Sequence, residues 1–244
     1  MAGALRVPSV EAMFADEFLP TYDVSDAVAV VVDAGPQQTW DALMSVDLID
    51  VGRSRPLIGV LGAMRMLPEL ASHLLHGEHP PAAAERMTLH DTAAAPAAQG
   101  GWVLLGERPG ESLALGLVGR FWRPVIAYKH VGREDFRDFA EPGYAKTIYE
   151  LAVQELDDGR TLLSGLMRTA TTNEHARRWF RRYWTIGVGS GAHVLVNGVL
   201  EQARDRAELE VARAWHEGVP VVTAHAHPSA GAVANRPGPS SWCS

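Results

Sequence analysis

The chain has 244 residues, 47% hydrophobic and 21% charged, which is enough apolar material for one substantial core and excludes a wholly disordered chain. A formal net charge of -7 argues against nucleic acid as a partner unless basic residues gather on one face. The lone cysteine, Cys243, forms no intramolecular disulfide, and Glu11, Asp16 and Glu17 interrupt any secretory signal over Met1 to Pro20, so a cytoplasmic protein is expected.

In chain order, residues 1–22 read as an N-terminal arm, 23–215 as one domain and 216–244 as a flexible tail. The run Asp26 to Asp33 is β-branched and stops at Gly35-Pro36, which predicts a buried strand. Two short helices should follow. One starts at Pro36 and carries Trp40, Leu43 and Met44 at helical spacing up to Val46. The other spans Leu57 to Leu75 with a break at Pro68. Within an Ala- and Pro-rich stretch, Arg86 to Asp91 reads as a short strand.

Strands then dominate. Trp102 to Glu107 and Ser112 to Trp122 flank the turn sequence Arg108-Pro109-Gly110-Glu111 and predict a hairpin. Phe136 to Phe139 reads as an irregular strand. A second hairpin joins Tyr144 to Leu156 with Arg160 to Thr169 through Asp157-Asp158-Gly159. Tyr149, Leu151 and Val153 share one face and Lys146, Glu150 and Gln154 the other, the half-buried pattern of a sheet with one wet side. Thr171 and Glu174 stand at capping-box spacing, which announces a long helix to about Ala214. Its middle, Tyr183 to Leu200, has no Asp, Glu, Lys or Arg, yet holds too many small and polar residues for a membrane span. A helix apolar all round needs cover beyond the sheet, from the two short helices, the N-terminal arm or a second subunit in a homodimer.

Several motifs have competing readings. Gly187-Val188-Gly189-Ser190-Gly191 superficially matches a nucleotide loop but follows an Arg-rich helix instead of a strand, which favours a packing role. The cluster Arg177 to Trp184 serves an anionic surface only if its arginines form an exposed patch. His73, His76 and His79, and His225 with His227, have weak metal-ligand spacing, and no metal or other cofactor is expected. His193 lies in the uncharged stretch, where a buried imidazole needs a partner.

The order of strand, two short helices, antiparallel strands and long C-terminal helix resembles the helix-grip fold of the START-like or SRPBCC superfamily, which includes polyketide cyclases. The resemblance covers about Asp23 to Ala214. Pro109 to Pro124, Phe139 to Val153 and Arg177 to His193 are similar to a bacterial group of that superfamily. It implies an α+β fold in which a curved antiparallel sheet wraps the long helix around a cavity for lipids, polyketides or other apolar molecules. The superfamily offers no catalytic signature to transfer.

Alternation and helical position nominate Leu115, Leu117, Phe121, Leu151, Trp184, Gly187 and Gly191 as lining residues of that cavity. Thr147, Tyr149, Tyr183 and His193 are its nominated polar groups, with Arg120 nearby. Helical glycines cost about 1 kcal/mol each relative to alanine, so Gly187 and Gly191 suggest space reserved for a guest or for close packing. The leading expectation is a binding module for an apolar small molecule. A cyclase, aromatase or hydratase using His193 or Tyr149 is the alternative, and a protein-interaction role the third.

Overall fold

The structure is a computed structural model that describes residues 13–54, 86–95 and 101–217. Within them the chain forms helix α1 (Phe14–Phe18), strand β1 (Val24–Val32), helices α2 (Pro36–Met44), α3 (Leu48–Ser54) and α4 (Leu89–Ala94), and the hairpin β2 (Val103–Arg108) and β3 (Ser112–Arg120). Next come the two-residue β4 (Ala127–Tyr128), helix α5 (Arg133–Phe136) and the hairpin β5 (Ala145–Glu155) and β6 (Thr161–Thr171). Helix α6 (Glu174–Tyr183) leads through a π-helical turn (Trp184–Val188) into α7 (Gly189–His216).

The strands form one open antiparallel sheet in the order β1-β6-β5-β3-β2, with β4 paired to the end of β3. Turn chemistry sets both hairpins, because Gly110 and Gly159 take φ of 84° and 80°, a region that costs other residues energy. The inner face carries Leu113, Leu115 and Leu117 of β3, Thr147, Tyr149, Leu151 and Val153 of β5, and Leu163, Gly165 and Met167 of β6. Helix α7 packs on this side. It packs tightly at Gly165, where a Cβ would stand 2.6 Å from Val196 Cγ1.

The expected wet face is not wet along β3. Every residue from Ser112 to Gly119 is buried, because α1 and α5 cover the outer face. Phe14, Phe18 and Phe136 fill the space above Gly106 and Gly116, where a Cβ would lie 2.2 Å from Phe14 and 2.7 Å from Phe136. Glu150, on the outer face of β5, holds the arm in place. Its carboxylate accepts the backbone N–H of Phe14 at 3.1 Å and of Ala15 at 2.8 Å. Residues 14–19 of the expected arm therefore belong to the packed body.

Other local expectations change for stated reasons. Arg86 to Asp91 is not a strand, since Thr88 caps α4 by accepting from Asp91 N and makes only an isolated bridge to Asp47. Phe136 ends the single-turn α5 and does not start a strand, which lets its ring sink into the outer core. Thr171 does not cap the long helix, because its hydroxyl donates to Asp23 and Asn173 caps α6 through Ala176 N. Cover for α7 comes from α2 and α3, to which Arg206 and Gln202 donate at Ser45 and Asp50. The expected helix Leu57 to Leu75, the histidines 73, 76 and 79, and the tail histidines lie outside the described residues.

Candidate functional site

Between the inner sheet face and the α6–α7 segment lies a cavity of about 260 Å³, close to the lower end of small-molecule sites, about 300–1,000 Å³. The sheet supplies its floor. Leu113, Leu115 and Leu117 alternate inward on β3, Thr147, Tyr149 and Leu151 on β5, and Met167 and Thr169 on β6. One end is walled by Phe121, Ile126, Tyr128 and Trp102, the other by Leu48, Leu89 and Thr92 of the small helices. The roof is helical: Phe180, Tyr183 and Trp184, then Ala192, Leu195, Val196 and Val199.

Aromatic contacts fix the walls. Phe180 and Trp184 stack with centroids 5.7 Å apart, and Trp102 meets Tyr149 edge-on at 5.6 Å, an arrangement favoured by ring quadrupoles. The Trp184 indole folds over Gly189, where a Cβ would stand 2.7 Å from the ring. That helical glycine thus clears room for a cavity-lining side chain.

The polar groups in the described lining are hydroxyls and the indole N–H groups of Trp102 and Trp184. Thr147 and Thr169 face each other across β5 and β6 with their oxygens 2.9 Å apart, which satisfies both in the buried floor. The Tyr149 hydroxyl receives no hydrogen bond from the described residues. Burial, with the phenols of Tyr183 and Tyr128 nearby, pushes Tyr149 far above the ordinary tyrosine range. It stays a neutral donor at physiological pH. No Asp, Glu, Lys, Arg or His stands among the described lining residues.

Eight residues nominated from sequence meet in this cavity: Leu115, Leu117, Phe121, Thr147, Tyr149, Leu151, Tyr183 and Trp184. Gly191 and His193 are not brought to it, and the surroundings of Gly187 lie outside what is described. For Gly191 the π turn is the physical cause; His193, nine residues after Trp184, faces away from the cavity even in a continuous α-helix. A π turn spends one residue more than an α turn, so every later position rotates by about 100° relative to a continuous α-helix. The line expected through Trp184, Gly187 and Gly191 becomes a line through Trp184, Ala192, Leu195 and Val199.

His193 is not buried. Its side chain is 51% exposed and its Nδ1 lies 2.9 Å from the Asp26 carboxylate on the edge strand β1. Arg120 also misses the cavity, packing over the Tyr144 ring at 4.4 Å. Among the residues not nominated, Leu113, Met167 and Thr169 follow the same alternation as their neighbours and were legible in it. Phe180 sits one turn before Tyr183 and Trp184. Nothing local in the sequence marks Tyr128, which reaches the cavity from a two-residue strand.

The glycine-rich run offers no phosphate cradle, because Gly189 continues an existing helix and its amide bonds back to Trp184 O. Among the described residues no cluster of His, Cys, Asp or Glu is arranged for a metal, and no helix is long and apolar enough to cross a membrane.

No family model and no curated protein matches this chain. Among solved structures, a hypothetical protein from Helicobacter pylori matches with a TM-score of 0.33 and 12% identity, covering 84% of this chain and 98% of that one. A likeness that weak carries no argument about fold or activity.

Proposed function

We propose that the chain is a START-like or SRPBCC-type binding domain whose cavity takes an apolar, uncharged small molecule, as a carrier or a sensor. The observation that carries the reading is the lining itself. It is aliphatic and aromatic, and among the described residues its polar side-chain groups are all uncharged: hydroxyls and the indole N–H groups of Trp102 and Trp184.

A charged guest entering this site sheds its hydration without meeting an opposite charge, at a cost of several kcal/mol. A neutral guest pays no such penalty, and a hydroxyl or carbonyl on it finds the Tyr149 phenol. One such hydrogen bond contributes about 1 kcal/mol, enough to orient the guest without dominating its affinity. The volume suits a molecule of about two fused rings or a short branched chain.

The cyclase, aromatase or hydratase alternative needs an acid and a base within reach of one substrate. Tyr149 has no carboxylate, amine or imidazole beside it in the described lining, and its own pKa is raised, so it stays protonated near neutrality and is not a base. His193 is engaged with Asp26 away from the cavity. Both facts favour binding over proton-transfer chemistry.

Native mass spectrometry of the purified protein tests the proposal. The expected result is a bound neutral small molecule, or uptake of one from an apolar panel, that is lost in a folded Ala192→Phe variant whose ring fills the roof of the cavity. Equal uptake by that variant, or none by the wild type across the panel, overturns it.

A further inference from the structure

The helical segment that roofs the cavity has a second face. Phe180, Tyr183 and Trp184 point inward, while Arg178, Arg181, Arg182, Trp179 and Ile186 are exposed on the opposite side of α6 and the π turn. Spacings of three and four link Arg178 to Arg181 and Arg182, and Trp179 to Arg182 and on to Ile186, so together they form a broad stripe over about 160° of the outward side.

Two features distinguish this stripe from an ordinary solvated helix face. Arg177, one position earlier, is neutralised by Asp23 at 2.7 Å and Glu174 at 3.1 Å. Arg178, Arg181 and Arg182 have no carboxylate partner among the described residues, in a chain whose net charge is -7. Arg182 instead lies over the Trp179 ring at 5.3 Å. Secondly, Ile186 is 79% exposed and Trp179 44%, so apolar side chains are held in water between the unpaired cations.

We infer that this stripe docks the protein on a membrane surface rich in anionic lipid. Arginines without a carboxylate partner among the described residues attract anionic headgroups. Tryptophan favours the headgroup boundary, and an exposed isoleucine gains by entering the acyl region. A nucleic acid would use the same charges, but it offers Ile186 nothing to bury against. Docked this way, the roof of the cavity lies against the bilayer, the phase from which apolar molecules are drawn. The docking itself does not depend on what fills the cavity.

Co-sedimentation of the full chain with vesicles tests the inference, using phosphatidylcholine alone and phosphatidylcholine mixed with phosphatidylglycerol. Binding is expected to the mixed vesicles, weakened by added salt, and slight to phosphatidylcholine. The triple variant R178A/R181A/R182A, whose replaced side chains make no ion pair among the described residues, should lose at least about tenfold in affinity. Ile186→Ser should weaken binding while leaving its salt dependence unchanged. No preference for anionic vesicles, an unaffected triple variant, or tighter binding of a mixed-sequence DNA duplex than of the mixed vesicles overturns the inference.

Discussion

Glu150 shows what one buried carboxylate does in this protein. It accepts the N–H groups of Phe14 and Ala15 and so ties the amino-terminal helix to the outer face of β5. Burial raises its pKa, and the two backbone hydrogen bonds only partly offset that rise. With the folded-state value above the unfolded one, the folded protein holds this proton to higher pH. The stability it contributes is therefore full below the unfolded-state value and falls as pH climbs through the raised folded value. Glu150→Gln should remove that fall, since an amide does not titrate, while lowering stability by about 1–2 kcal/mol because its NH2 group opposes one of the two N–H donors. Thermal denaturation of both proteins from mildly acidic to neutral pH measures the two effects. A variant with the same pH slope as the wild type would show that another group sets it. By contrast, His193 and Asp26 form a half-exposed pair, worth about 0–1 kcal/mol. His193→Ala should leave ligand uptake unchanged and shift Tm little, and a large loss of uptake would place His193 back in the site.

At the scale of elements, the π turn is the feature that separates the expected lining from the observed one. Up to Trp184 the helical positions were readable from the basic-aromatic pattern and the strand positions from period-two alternation. Leu115, Leu117, Thr147, Tyr149 and Leu151 accordingly fall on the inner face as read. After the π turn a phase error of one residue displaced Gly191 from the cavity, because no local propensity marks where one extra residue enters a helix, whereas His193 was nominated for its uncharged surroundings and not for its helical position. The outer face was misread for a related reason. Gly106, Ala114 and Gly116 look like weak packing residues in isolation, yet they are the floor under Phe14 and Phe136, which arrive from distant parts of the chain. Gly189→Ala is predicted to displace the Trp184 indole, to shift its fluorescence, and to weaken uptake, although alanine is the better helix former. Unchanged emission and uptake would remove that role for Gly189. Gly165→Ala should lower stability by about 1–3 kcal/mol, since its Cβ meets the stiff Val196 side chain where α7 touches β6. Chemical denaturation checks this, and a neutral result would mean that the helix shifts freely.

For the whole molecule, one sheet separates two interiors with different characters. The outer one is filled by phenylalanine rings over glycine and alanine, closed by the carboxylate of Glu150. The inner one is left partly open, although α2, α3, α4 and α7 supply enough side chains to surround it. Interiors of folded proteins are ordinarily filled to crystal-like density. A void lined by Leu115, Tyr149, Trp184 and Leu195 is accordingly the part of this fold that packing alone does not account for. Its proposed role is a site for a neutral guest. Calorimetric titration with a matched pair, 2-naphthol and 2-naphthoate, tests it most directly. The wild type should bind the naphthol and exclude the carboxylate, Tyr149→Phe should weaken the naphthol by about three- to tenfold, and Ala192→Phe should abolish its binding. Equal binding of the two probes, or naphthol binding unaffected by both substitutions, would contradict it.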